Sequence, residues 1–169
     1  MTRSQSKVFI NYRTSDEPWA AVILDDTLAR RWGADAVFLD NRSITIGRLF
    51  DTELLTNLRG SSVLLVVIGS RWLTVRDLHG RRLIDGQHDW VRAEIAEGFA
   101  CGIHVVPVLV GDLDPLDPAA LPPSIRRLAR CQYARLRHRN RQLDLDEIAQ
   151  NLLALDPGLG RPQRPGMVG

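Results

Sequence analysis

The stretch Ser62-Val-Leu-Leu-Val-Val-Ile-Gly69 (SVLLVVIG, 62–69) decides the fold, because six apolar residues stand side by side between a serine and a glycine. A strand with one wet face alternates apolar and polar positions. A strand apolar at every position is covered on both faces, as in the middle of a parallel sheet. KVFIN (7–11) and HVVPVLV (104–110) read the same way, and AVFLD (36–40) and CQYARL (131–136) are shorter runs bounded by turn residues. Five strands are predicted, and their covered faces require helices on both sides.

Helical stretches fall between the strands at about 17–32, 49–59, 88–101, 122–130 and 143–155. The first carries Ala20, Ile23, Leu24, Thr27, Leu28 and Arg31 at three- and four-residue spacing, with Ser15 or Asp16 as its N-cap, Pro18 in its first turn and Gly33 as its stop. Alternation with connections this short admits only right-handed crossovers. The expected fold is therefore α/β: a flavodoxin-like, doubly wound, five-stranded parallel sheet of order 2-1-3-4-5 with helices on both faces. Residues 1–6 read as an N-terminal tail and 7–155 as one domain. DPGLGRPQRPGMVG (156–169) has no packing period and reads as a Pro/Gly-rich tail or linker; an N-terminal domain of a longer parent chain and a natural terminus would both end this way.

A chain of 169 residues with 44% hydrophobic content can bury one core but not two catalytic domains. A net charge of +2 excludes a globally basic nucleic-acid binder. No apolar run reaches the roughly 18–20 residues needed to cross a bilayer, and MTRSQSK leads straight into a strand, so no membrane partner and a cytoplasmic location are expected. Cys101 and Cys131 are too few for a disulfide framework and are expected as small buried residues rather than nucleophiles. His79, His88, His104 and His138 lack metal-ligand spacing, so no metal site is expected. RRLARCQYARLRHRNR (126–141) holds seven arginines. Of the 22 basic residues, however, only Lys7 is a lysine, so arginine is preferred throughout, and Tyr133 is the sole interleaved aromatic. The segment reads as a solvated or partner-facing surface, and nucleic acid is not the expected partner.

Ligands of a doubly wound sheet bind beyond the carboxyl ends of its strands. Four segments meet there: Asn11 to Asp16, Asn41 to Arg48, Gly69 to Trp72, and the helix holding Trp90 and Glu94. In DWVRAEIAEGFACG (89–102), a rotation of about 100° per residue puts Val91, Ile95, Gly98 and Phe99 on the buried face, with Trp90, Glu94 and Cys101 along its flank. A carboxylate beside an indole at a sheet edge is suited to offset a developing cation while the ring packs on a planar ligand. The plainer reading is an exposed glutamate next to a half-buried tryptophan. No G-x-G-x-x-G follows the first strand, and neither a G-x-x-x-x-G-K-[ST] loop nor a G-x-S-x-G elbow occurs. The paired acids of a phosphoacceptor receiver are replaced by Asn11-Tyr12 and Gly69-Ser70.

VFINYRTSD (8–16) resembles the first signature box of Toll/interleukin-1 receptor (TIR) domains. VFLDNRSITIGRLFDTELLTNLRGSSVLLVVIGSRWL (37–73) is similar to that family's second strand, BB loop, following helix and third strand. DWVRAEIAEGFACGIHVVPVLVGD (89–112) resembles its W-x-x-x-E segment and next strand. The likeness covers about 7–136 in the right order, with bacterial TIR proteins of NADase type and the animal axon-degeneration TIR enzyme nearest in style.

The resemblance implies an NAD+ glycohydrolase that cleaves the nicotinamide–ribose bond to give nicotinamide and ADP-ribose or a cyclic variant, activated by self-assembly in bacterial defence or virulence signalling. It assigns catalysis to Glu94, substrate binding to Tyr12, Arg13, Trp90, Ser70 and Thr45, and BB-loop assembly to Ile44, Ile46, Gly47 and Arg48. NAD+ would be the substrate, no cofactor is implied, and other TIR domains would be homo-oligomeric partners. Two positions depart from the animal enzyme: Thr14 stands where it has a second arginine, and Thr45 where it has an acid. The family also contains scaffolds, so a non-enzymatic TIR–TIR interaction module is the alternative implication.

Overall fold

The computed structural model describes residues 6–40 and 52–161. Among these, β1 (Val8–Asn11), β2 (Val37–Leu39), β3 (Val63–Ile68), β4 (His104–Val110) and β5 (Ala134–Leu136) form one five-stranded sheet. All neighbouring pairs are parallel and the order is β2-β1-β3-β4-β5, as the sequence predicts. The helices are α1 (Pro18–Trp32), α2 (Thr52–Arg59), α3 (Trp90–Ala100) and α4 (Arg141–Leu155).

Period-two alternation sorts the strand side chains into two layers. Val8 and Ile10 of β1 and Val63, Leu65 and Val67 of β3 pack with Ala20, Leu24 and Leu28 of α1 and Leu145, Ile148 and Leu152 of α4. Phe9, Leu64, Val66 and Ile68 point the other way, onto Leu54 and Leu58 of α2 and Val91 and Ile95 of α3. Every residue of β1 and β3 is buried, which is why both strands read as unbroken apolar runs. Each aliphatic side chain removed from water this way contributes about 1.5–3 kcal/mol.

Several expectations are corrected. The stretch expected as a helix over 122–130 is a 3-10 turn, Pro123–Arg130. Pro122 and Pro123 remove two backbone donors, and its buried residues, Ile125 and Leu128, lie three apart, the repeat of the tighter helix. β5 begins only at Ala134 because its partner stops it. The His104 N–H bonds to Ser62 on the β3 side and the Gly111 N–H to Leu136 on the β5 side, so Pro107 turns its missing donor toward β5, and pairing starts one residue later at Val108↔Ala134. The Pro/Gly-rich stretch after α4 packs as far as Leu159, which is buried in the α1/α4 layer within the turn Pro157–Gly160. Asp156 ties that turn down by accepting from Gly158 N and from the Ser6 hydroxyl.

The cysteines are also corrected. Cys101 is exposed at the end of α3 and Cys131 is half-buried. Desolvation, reinforced by its bond to the Glu97 carboxylate, pushes the Cys101 thiol up, and desolvation raises Cys131 as well, so neither is activated as a nucleophile. Among the described residues no helix is long and apolar enough to cross a membrane.

Candidate active site

In this sheet β2 lies on one side of β1 and β3 on the other, so the carboxyl end of β1 is the point where strand order reverses. Asn11 is the last residue there. It shares the parity of Phe9 and so faces the α2/α3 layer, fully buried. Its Nδ2 donates to Glu94 Oε2 at 2.5 Å and to the Val91 carbonyl at 3.3 Å, tying the end of the central strand to α3.

Glu94 is 0% exposed, which corrects its placement on the helix flank. The reason is visible one turn further on. A Cβ at Gly98 would stand 2.8 Å from Leu64 Cδ2, so the absent side chain lets α3 lie close on β3, and Glu94, four residues earlier, comes onto the same inward face. Val91, Glu94, Ile95 and Gly98 are buried together while Phe99 is only partly buried. Trp90, the first residue of α3, is half-buried. Burying a carboxylate carries a large desolvation penalty, and at a strand's carboxyl end it marks a functional site more than a structural one.

Arg13, on the same parity as Asn11, is 6% exposed and makes a two-pronged ion pair with Asp89, both N–O distances being 2.9 Å. Asp89 also caps α3 by accepting from Arg92 N at 3.1 Å. One carboxylate thereby seats the helix N-terminus and clamps it to the segment after β1. Sequence reasoning missed this use of Asp89. An aspartate directly before an apolar-periodic run signals a cap, but a partner 76 residues away leaves no local signature.

Asp16 does not cap α1, contrary to expectation; Glu17 occupies that position with no side-chain cap bond. The Asp16 carboxylate instead accepts from Gly69 N at 2.6 Å and Arg71 N at 2.9 Å, holding the turn after β3. Burial pushes its carboxyl above the usual 3.8, partly offset by the two backbone N–H bonds. A Cβ on Gly69 would fall 2.1 Å from Glu17 Cγ, so this approach admits no side chain.

The remaining site residues are more scattered. Tyr12 is half-buried and follows the parity of Ile10, packing on the α1/α4 layer rather than on the layer that carries Glu94. Ser70 is exposed at the end of β3, on the rim of a recess of about 240 Å³ whose walls include Ile68, Leu73, Leu109 and Leu113. Thr45, Ile44, Ile46, Gly47 and Arg48 lie outside the described residues. Three arginines of the basic segment have local work: Arg127 covers the Phe99 ring, Arg135 bonds the Gly111 and Leu113 carbonyls, and Arg137 pairs with Asp144. His138 stacks on Trp19 with ring centroids 4.2 Å apart. Among the described residues no three His, Cys, Asp or Glu side chains converge as metal ligands.

The family model for the TIR domain matches residues 8–153. Solved structures of similar fold include the TIR domains of the activated Roq1 resistosome directly recognizing the pathogen effector XopQ, with 17% identity over 92% of this chain and 81% of that one and a TM-score of 0.48. Another is a metazoan TIR-STING receptor from C. gigas in complex with 2′,3′-cGAMP, at 19% identity, 94% of this chain and a TM-score of 0.56. This chain spans 40% of the length of that receptor, and the likeness is one of fold. No curated protein matches the sequence.

Proposed function

Because the chain belongs to the TIR-domain family, we propose that it is an NAD+ glycohydrolase and that Glu94 is its catalytic carboxylate. The observation that carries the proposal is the full burial of Glu94 at the strand-order reversal, held by the amide of Asn11. An acid placed there for stability alone would be a poor choice, since an apolar residue of similar volume would fill the same space without the desolvation penalty.

The chemistry suits a single carboxylate. Ordinary glycosidases need two, because the leaving oxygen must be protonated while the other face is attacked or stabilised. In NAD+ the nicotinamide is a cationic pyridinium that takes the bonding electron pair and departs neutral, so no general acid is required. Glu94 accepts a hydrogen bond from the ribose and offsets the positive charge of the oxocarbenium-like transition state. Water then adds to the anomeric carbon and releases a proton, giving ADP-ribose, or the adenine attacks and closes a ring. Trp90, half-buried beside Glu94 on the helix, offers an indole to a planar ring of the substrate.

With Glu94 shut off from solvent, substrate entry requires the residues over it to move, which fits activation by association of several copies. Association of copies is assigned in this proposal to residues 41–48 on the family resemblance, and Gly47→Pro is expected to abolish both assembly and turnover.

The test is nicotinamide release from NAD+ by the full chain tethered at high density on vesicles, wild type beside Glu94→Gln. Turnover in the first and its loss in the second are expected; a silent wild type or an active variant refutes the reading. A second reading, a module that associates without cleaving, draws on the commitment of Arg13 to Asp89, which leaves that guanidinium spoken for. It predicts a wild type that self-associates but releases no nicotinamide, and a Glu94→Gln variant that self-associates equally well.

A further inference from the structure

Resting on the glycohydrolase reading, we propose that Asn11 is the positioning residue for Glu94: its amide orients the catalytic carboxylate and contributes no charge of its own. The two donor bonds from Nδ2 run to different parts of α3, one to Glu94 Oε2 and one to the Val91 carbonyl three residues earlier. The carboxylate is thus held in register with the backbone of its own helix and with the end of the central strand at once. An exchange of the amide's oxygen and nitrogen would set a carbonyl against the carboxylate, so the hydrogen-bond network fixes which end faces Glu94.

The other end of the side chain carries the argument further. Asn11 is 0% exposed, and its Oδ1 has no hydrogen-bond partner among the described residues. A buried acceptor left unmade is destabilising, and a residue selected for stability would satisfy both ends or be apolar. The fold accepts that loss and keeps the donor end aimed at Glu94. A neutral donor also suits the chemistry. An ammonium or guanidinium in its place would orient the carboxylate equally well, but it would cancel part of the negative charge that has to face a cationic transition state.

The experiment uses the full chain tethered on vesicles with NAD+ as the probe, comparing wild type, Glu94→Gln, Asn11→Ala and Asn11→Asp, with a thermal melt for each. Asn11→Ala is expected to lower kcat roughly 10- to 100-fold, as loss of an orienting partner does elsewhere, with KM unchanged and the acid limb of the kcat profile displaced to higher pH. Asn11→Asp keeps the shape but sets a second carboxyl against Glu94, so the pair shares a proton and Glu94 no longer acts as a lone carboxylate; kcat is expected to fall at least as far. Should Asn11→Ala fail to fold, the near-isosteric Asn11→Asp decides alone. Wild-type kcat in a folded Asn11 variant, or a loss confined to KM, overturns the assignment while the glycohydrolase reading stands. A silent wild type or an active Glu94→Gln overturns that reading, and the assignment of Asn11 falls with it.

Discussion

Two buried carboxylates stand in this molecule under different management. Asp144, in the first turn of α4, is 3% exposed and accepts from the Arg137 backbone N–H at 2.8 Å and from its guanidinium at 2.9 and 3.1 Å, all from a residue seven positions away. Glu94, fully buried, accepts from the amide of Asn11, 83 positions away. The first is compensated locally by a full positive charge and serves to join β5 to α4. The second accepts from a neutral amide on the central strand, 83 positions away. Burial has to be read together with place: Asp144 is buried where a strand meets the next helix, Glu94 where the strand order reverses.

The comparison is tested hardest where the helix carrying Glu94 is seated. Asp89→Ala leaves Arg13 buried without its partner and α3 without its cap, and a loss of about 3–5 kcal/mol is expected in denaturant unfolding. A change below 1 kcal/mol would mean that this end of the molecule is as loosely held as an exposed salt bridge. Glu94→Gln separates the two carboxylates next: turnover falls roughly 10²–10³-fold, about 2.7–4 kcal/mol, while the melting temperature stays level or rises because a buried charge has been removed. Asp144→Asn should do the reverse, with unchanged turnover and a lower melting temperature.

Gly98→Ala probes the fit of α3 on β3. The added Cβ meets Leu64 Cδ2 at 2.8 Å, and because that atom ends a flexible side chain, the expected destabilisation is modest, about 1 kcal/mol, with some loss of turnover as Glu94 shifts. The smallest effect is in acid. The hydrogen bond from the Arg137 side chain holds the Asp144 carboxyl below the usual 3.8, against desolvation. Its contribution is complete above that value and is lost as pH falls through the folded value below it. Asp16 has the opposite sign: burial raises its carboxyl above 3.8, so it favours the folded state most below 3.8 and loses that advantage as pH rises through the window just above. Melting temperatures of Asp144→Asn and Asp16→Asn against wild type across this range should diverge in opposite directions.

The sheet was legible because its information is local. Successive apolar residues in 62–69 and 104–110 declare strands covered on both sides, and the alternation with helices leaves few ways to connect them. The site was legible only in outline. A rotation of about 100° per residue centres the inner face of α3 on Val91, Ile95 and Phe99 and leaves Glu94 on its flank, whereas the close approach at Gly98 turns the buried face toward Glu94 and leaves Phe99 partly exposed. Asn11, Asp89 and Asp16 owe their roles to partners 83, 76 and 53–55 positions away, and no periodicity encodes such pairings. Tyr12 and Arg13 are adjacent in sequence, but strand parity sends their side chains to opposite layers.

Pro107 has a consequence for how this protein behaves in crowded company. β5 covers β4 only from Val108 onward, and the uncovered amino half of β4 includes partly exposed Val105 and Val106 at a sheet margin. Bare margins of this kind recruit foreign strands and seed aggregates. An incoming strand here meets a ring nitrogen with nothing to donate, so the ladder cannot be extended across the gap. Pro107 thus denies a foreign strand one of the donors it would need to extend the sheet along this half of β4.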